Sequence, residues 1–203
     1  VVDPHAHRSI IAARAIPRRE KGAEVSRCFD HTCPMDATPP TLDATPGPAS
    51  ARVTVRRGAG RADYAPDTVL DVLRAGLVAH VGVATPDGPV VLPMAYGVVG
   101  TTLYLHGATA NALLRGAEGA DVCATVTVVD GLVLARTPFH HSMNYRSVVV
   151  RGRARPVTDP AEVLVGLQAV TDHVVPTWDH LRAPHAAELR RTRVVALDLA
   201  ESS

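Results

Sequence analysis

Two segments of this chain concentrate residue types that do chemistry. The first is Leu103-Tyr104-Leu105-His106-Gly107-Ala108-Thr109-Ala110-Asn111. It reads as a strand ending at His106, a glycine that lets the backbone pass close to a ligand, and a helix start over 109–116. The first amides of a helix have no partner inside it and suit a phosphate. The same pattern also makes an ordinary strand-to-helix turn, and spacing alone leaves both readings open. The second segment is Thr137-Pro138-Phe139-His140-His141-Ser142-Met143-Asn144-Tyr145-Arg146-Ser147. Such polar density between two strands costs desolvation unless a ligand or a partner subunit satisfies it. The alternative is a solvated loop.

Other chemistries fit less well. Adjacent side chains diverge on a strand, so His140 and His141 make a poor metal pair, and no carboxylate is near them in sequence. No metal site is expected. Ser142 beside the histidines has no Gly-x-Ser-x-Gly elbow around it. Gly58 and Gly60 follow no apolar strand, so they are not a dinucleotide fingerprint. Cys28, His31 and Cys33 lack a second ligand pair of zinc-site spacing.

The elements that must position these segments are mostly strands. A short helix is predicted over 68–75, capped by Asp67 and closed by Gly76. Strands follow over 77–85 and 89–97, joined by Pro86-Asp87-Gly88. A third strand spans 102–106 and breaks at Gly107. A fourth covers 121–129. Asp130-Gly131 is a strong hairpin signal, giving a fifth strand over 132–136. The sixth covers 145–157. Asp159 and Pro160 open a helix whose apolar side is Val163, Leu164, Leu167, Val170 and Val174. A short helix over 184–191 and a last strand over 193–199 complete the set. Antiparallel strands joined by hairpins, with few helices, define a mainly β barrel.

The 203 residues suit one domain plus a tail. Hydrophobic residues make up 46%, enough for a core, and the net charge of +1 exerts no general pull on nucleic acid or membrane. Residues 1–51 are rich in Pro without helical or strand period, and are expected to be a disordered or non-native extension. The domain proper is expected over 52–203. No stretch is long and apolar enough to span a membrane. Three cysteines without a framework, and no signal peptide, point to the cytoplasm.

On these segments the chain resembles the pyridoxamine 5'-phosphate oxidase-like, FMN-binding split-barrel proteins, closest to the nitroimidazole-resistance branch. The resemblance rests on 76–82, on Leu103-Tyr104-Leu105-His106-Gly107, on 126–136 and on 139–149, and runs in order from about residue 53 to 199. It implies a six-stranded antiparallel split barrel and a homodimer holding FMN between subunits. It further implies a phosphate at the turn formed by His106, Gly107, Ala108, Thr109 and Asn111. The flavin ring would lie along Leu92, Pro93, Met94 and Ala95, and the partner would supply His140, Ser142, Asn144 and Arg146. His106 or His141 would serve as proton donor, and a nicotinamide donor would reduce a small molecule through the flavin. Flavin binding without turnover is the alternative function, and haem binding a further one.

Three departures from the family pattern stand out. Ala108, Asn111 and Ala112 replace a Ser-rich turn with a basic residue, leaving Arg115 or Arg146 as substitutes. The run at Pro176-Thr177-Trp178 is short. Family members commonly continue beyond the equivalent of Ser203.

Overall fold

The computed structural model describes residues 46–203. Most of the expected 1–51 extension lies outside the described residues, as do Cys28, His31 and Cys33. The fold is mainly β: two four-stranded antiparallel sheets face each other with a few helices around them. The first sheet has the order β2-β1-β5-β6, with β1 Ala79–Thr85, β2 Gly88–Met94, β5 Asp121–Val133 and β6 Ser142–Arg153. The second has the order β3-β4-β8-β7, with β3 Tyr96–Val99, β4 Thr102–Ala108, β7 Arg155–Pro156 and β8 Thr192–Asp198. The helices are α1 Pro66–Ala75, α2 Ala112–Ala117, α3 Pro160–Val174 and α4 Ala186–Arg191.

Alternation decides which side chains enter the core. Ala79, Val81 and Val83 of β1 are buried, whereas His80 and Ala84 face out. Leu103 and Leu105 of β4, with Val195 and Leu197 of β8, meet them and Val126 and Val150 of β5 and β6 from the opposite sheet. The other face of β4 and β8 carries Tyr104, Val194 and Ala196 against Val170 of α3. The second sheet is therefore buried on both sides, and β8 accordingly reads as a continuous apolar run.

Helix α3 begins as the sequence indicates. Asp159 caps it by accepting a hydrogen bond from Glu162 N at 3.1 Å, and Pro160 takes the first helical position. Close approach of this helix requires glycine. A Cβ on Gly97 would fall 2.3 Å from the Ala169 carbonyl carbon, and one on Gly166 would fall 2.9 Å from the Tyr104 ring.

Several expected boundaries are corrected. Asp67 is not the cap of α1. The helix starts two residues earlier at Pro66 after Ala65, and Asp63 binds the entry instead, accepting from Ala65 N and Thr68 Oγ1. The single strand expected over 89–97 is two strands in different sheets, because the chain changes sheet at Ala95. Gly107 does not break β4, which runs through it to Ala108 and pairs Gly107 with Arg193. The chain also changes sheet between β6 and β7, so the long sixth strand expected over 145–157 is divided.

The largest correction concerns Asp130-Gly131. A tight hairpin of that type needs positive φ at both central residues, and neither has it. Instead β5 continues to Val133 with an irregularity between Val129 and Gly131, and its register with β6 runs on through Gly131↔Asn144 to Val133↔Ser142. There is no separate fifth strand over 132–136. The chain reverses over 134–141, where Pro138–His140 form a 3-10 turn.

Candidate functional site

The His106 segment is shaped by packing. Gly107 lies under α2, and a Cβ there would sit 2.8 Å from Leu114 Cδ1 and 3.3 Å from Asn111 Nδ2. Asn111 caps α2: its Oδ1 accepts from Leu113 N at 3.0 Å and Leu114 N at 3.2 Å. The free amides anticipated at this helix start are thus partly taken by the protein's own side chain. The cap is Asn111 rather than Thr109, and the helix has only six residues. Thr109 N donates to Arg191 O at 2.9 Å, tying the turn to the end of α4.

His106 is half-buried and stands opposite Val194 on β8. It shares the Tyr104 face of β4, since alternate residues of a strand point the same way. Its Nδ1 is buried and has no hydrogen-bond partner among the described residues. Burial pushes the imidazole pKa below its ordinary value, which favours the neutral ring. A neutral imidazole with an unmet nitrogen can accept or donate one hydrogen bond, or ligate a metal, without a buried charge to compensate.

Leu92, Pro93, Met94 and Ala95 lie on or beside β2, which is an edge strand of its sheet. Val90, Val91 and Leu92 are exposed there, and Met94 and Ala95 are half-buried at the change of sheet. The outer backbone groups of an edge strand have no ladder partner, so they can meet the polar rim of a flat ligand.

The third group occupies an arm. β1 pairs with β5 only as far as Ala79↔Val126, but β5 and β6 stay paired beyond that point. The resulting two-stranded extension exposes Val129, Leu132, Leu134, Met143 and Tyr145, and Phe139 is 94% exposed at its tip. His140 packs edge-on against Phe139, and His141 Nε2 is 3.1 Å from Ala135 O, bracing the reversal. Ser142, Asn144 and Arg146 share the face of β6 that carries Val148 and Val150 into the core farther along.

Within the chain the three groups therefore sit on three elements. Asn144 and Arg146 line a cleft of about 490 Å³ between β6, α1 and residues 55–63, and this cleft takes in neither His106 nor the β2 residues. Arg57 and Arg61 on its wall were not anticipated. Their signal was the basic run Arg56-Arg57-Gly58-Ala59-Gly60-Arg61, set aside because its glycines match no dinucleotide motif. Arg193 was also missed. It stands opposite Gly107 on β8 and pairs with Glu118 at 2.7 Å. Among the described residues no helix is long and apolar enough to cross a membrane.

The fold is therefore a mainly β protein of two antiparallel sheets in which the chain changes sheet at Ala95 and again after β6, with a histidine-glycine pair near the end of β4. The sequence model of the pyridoxamine 5'-phosphate oxidase family matches residues 65–203, and the chain belongs to that family. Among solved structures it is similar to the flavocytochrome Anf3 from Azotobacter vinelandii, with 37% identity and a TM-score of 0.72 over 77% of this chain and 74% of that one. It is also similar to an FAD and haem binding protein from Mycobacterium smegmatis, with 34% identity and a TM-score of 0.63 over 66% of each chain. A protein assigned to 5-nitroimidazole antibiotic resistance from Bacteroides thetaiotaomicron shares 21% identity and a TM-score of 0.55 over 68% of this chain and 82% of that one, a likeness of fold. No curated protein matches the chain.

Proposed function

We propose that this protein is a flavin-binding redox protein that works as a homodimer and passes electrons from a nicotinamide donor to a small acceptor. The observation that carries this reading is His106, a half-buried histidine whose Nδ1 has no partner, beside Gly107 at the end of β4. An orphaned buried nitrogen costs stability unless a bound molecule meets it. The free outer edge of β2 fits a flat heteroaromatic ring, and FMN and FAD share that ring. The flavin supplies hydride and single-electron transfer when bound.

The chain's own residues bind and orient. The β2 edge at Leu92 and Met94 offers amides and carbonyls to the ring rim, Pro93 having no N–H to give. His106 holds or releases one proton at Nδ1. His141 is the weaker proton donor of the two, because Ala135 O already engages its Nε2. Thr109 and the backbone of 107–111 remain the phosphate contact in this reading, with Asn111 fixing the turn.

Two features support the dimer. Helix α3 covers the outer face of the second sheet, whereas the outer face of the first sheet presents Val91, Cys123 and Thr125 with no covering helix among the described residues. The β5–β6 arm also exposes an apolar set too large to be left in water without consequence. Pairing with a second copy would bury both, and would bring His140, Ser142, Asn144 and Arg146 to the partner's flavin. With three cysteines and no pairing framework, the reading puts the protein in the cytoplasm.

A second reading is favoured by the same nitrogen. Two solved relatives above 30% identity are a flavocytochrome and an FAD and haem binding protein. An imidazole kept neutral by burial is the form that ligates haem iron. His106 is then a ligand rather than a proton donor. Titration with FMN, FAD and haem, followed by gel filtration, separates the readings. Co-eluting flavin absorbance with NADH or NADPH oxidation supports the first. A Soret band that His106→Ala abolishes supports the second. Neither chromophore co-eluting would overturn both.

A further inference from the structure

The cleft between β6, α1 and residues 55–63 is absorbed only in part by the reading above, which uses Asn144 and Arg146 alone. Of the three arginines on its wall, Arg146 is committed to Asp130 through Nε and Nη2. Arg57 and Arg61 form no ion pair among the described residues. The carboxylate nearest them in sequence, Asp63, is occupied by Ala65 N and Thr68 Oγ1. Gly58 between them has φ +71°, and a Cβ there would lie 2.7 Å from Arg61 Nη2. The guanidinium is thus laid against a glycine backbone that only a residue without a side chain leaves open.

We propose that this cleft binds the phosphate-bearing half of an adenine nucleotide, with Arg57 and Arg61 on the phosphates and the base over the apolar floor. Guanidinium groups make paired, charge-assisted hydrogen bonds to phosphate. The cleft is larger than an inorganic phosphate needs, and lies in the range of small-molecule sites. Its floor is apolar, formed by the buried Val69, Val72 and Val148, which an inorganic anion does not use. The ligand chemistry is an adenosine diphosphate moiety. It has two sources under the redox reading on which this inference rests: the adenylate end of FAD, or the nicotinamide donor.

The test is calorimetric titration of the full chain, dialysed free of bound nucleotide, with ADP, adenosine and FMN. The comparison is an Arg57→Ala/Arg61→Ala double variant, which removes only exposed side chains. ADP binds the native protein, adenosine binds more weakly, and the double variant loses about tenfold or more in ADP affinity while keeping FMN. Equal affinity for ADP in the double variant, equal binding of ADP and adenosine, or no ADP binding overturns the proposal. ADP binding with no binding of either FMN or FAD sinks the flavin reading and leaves this one standing; flavin binding without ADP binding does the reverse. The source follows from two further arms. A preference for FAD over FMN that the double variant abolishes identifies the flavin, and a rise in KM for NADH or NADPH with unchanged flavin affinity identifies the donor.

Discussion

Asp130 and Arg146 hold each other across the irregular stretch of β5, with Arg146 Nη2 2.9 Å from Asp130 Oδ1 and Nε 3.0 Å from Oδ2. The pair spans the point where β5 leaves its regular register, so it fixes the angle of the arm and the wall of the cleft. The guanidinium holds the Asp130 carboxyl below the usual carboxylate range. Both groups are substantially exposed, and exposed pairs add little to global stability.

Asp130→Asn should therefore leave the melting temperature nearly unchanged and weaken ligand binding at the cleft. The pair's small contribution is present above the ordinary carboxylate pKa and fades as pH falls through the lowered folded value. Thermal melts and ADP titrations of the variant at neutral pH check both halves. A large drop in melting temperature would contradict this assignment.

Gly131→Ala separates the continuous strand from the hairpin turn that Asp130-Gly131 implies. Nothing lies within 4 Å of a Cβ at Gly131, and its φ is not positive. The substitution should change stability by less than about 0.5 kcal/mol. Gly97→Ala is the contrasting case, because its Cβ would meet the α3 backbone at Ala169. A loss of about 1–3 kcal/mol is expected in denaturant melts.

Tyr96→Phe probes the joint between α1 and the second sheet. The buried hydroxyl stands 2.5 Å from Leu73 O and 3.0 Å from Gly76 O, and burial raises its pKa well above the ordinary phenol range. His173 Nε2 donates to the same Gly76 carbonyl at 2.7 Å. Removing the hydroxyl should cost about 1–2 kcal/mol, read by urea unfolding. A cost near zero would mean that the contact is replaced without loss.

The pH dependence of the ligand-free protein reports on His106. Its folded pKa is depressed by burial, so the unfolded chain binds more protons below the ordinary imidazole value. Stability therefore rises with pH up to about 6.5 and falls on acidification below it. His106→Gln should flatten that slope on the acid side of about pH 6.5. An unchanged slope would assign the acid sensitivity to another group.

The sequence exposes the strands through alternation, as in Ala79, Val81 and Val83, and the start of α3 through Asp159 and Pro160. It conceals the places where chain direction depends on distant contacts. Asp130-Gly131 has the chemistry of a turn, yet β6 offers β5 partners for longer than local preference predicts. Gly107 reads as a strand breaker or phosphate approach, but α2 packs onto it. The site is legible as residue types, since His106 closes an otherwise apolar run and Asn144 and Arg146 fall in a dense polar segment. Its assembly is not legible, because the three groups occupy different elements. Arg57 and Arg61 escape notice because their glycines match no familiar spacing.

The most direct measurement is the visible spectrum of the purified protein after incubation with FMN and FAD and passage through gel filtration, with the mass of whatever denaturation releases. The account predicts flavin absorbance travelling with a dimer-sized peak and a released mass equal to FMN or FAD. A colourless peak at either size, after exposure to both, would contradict it.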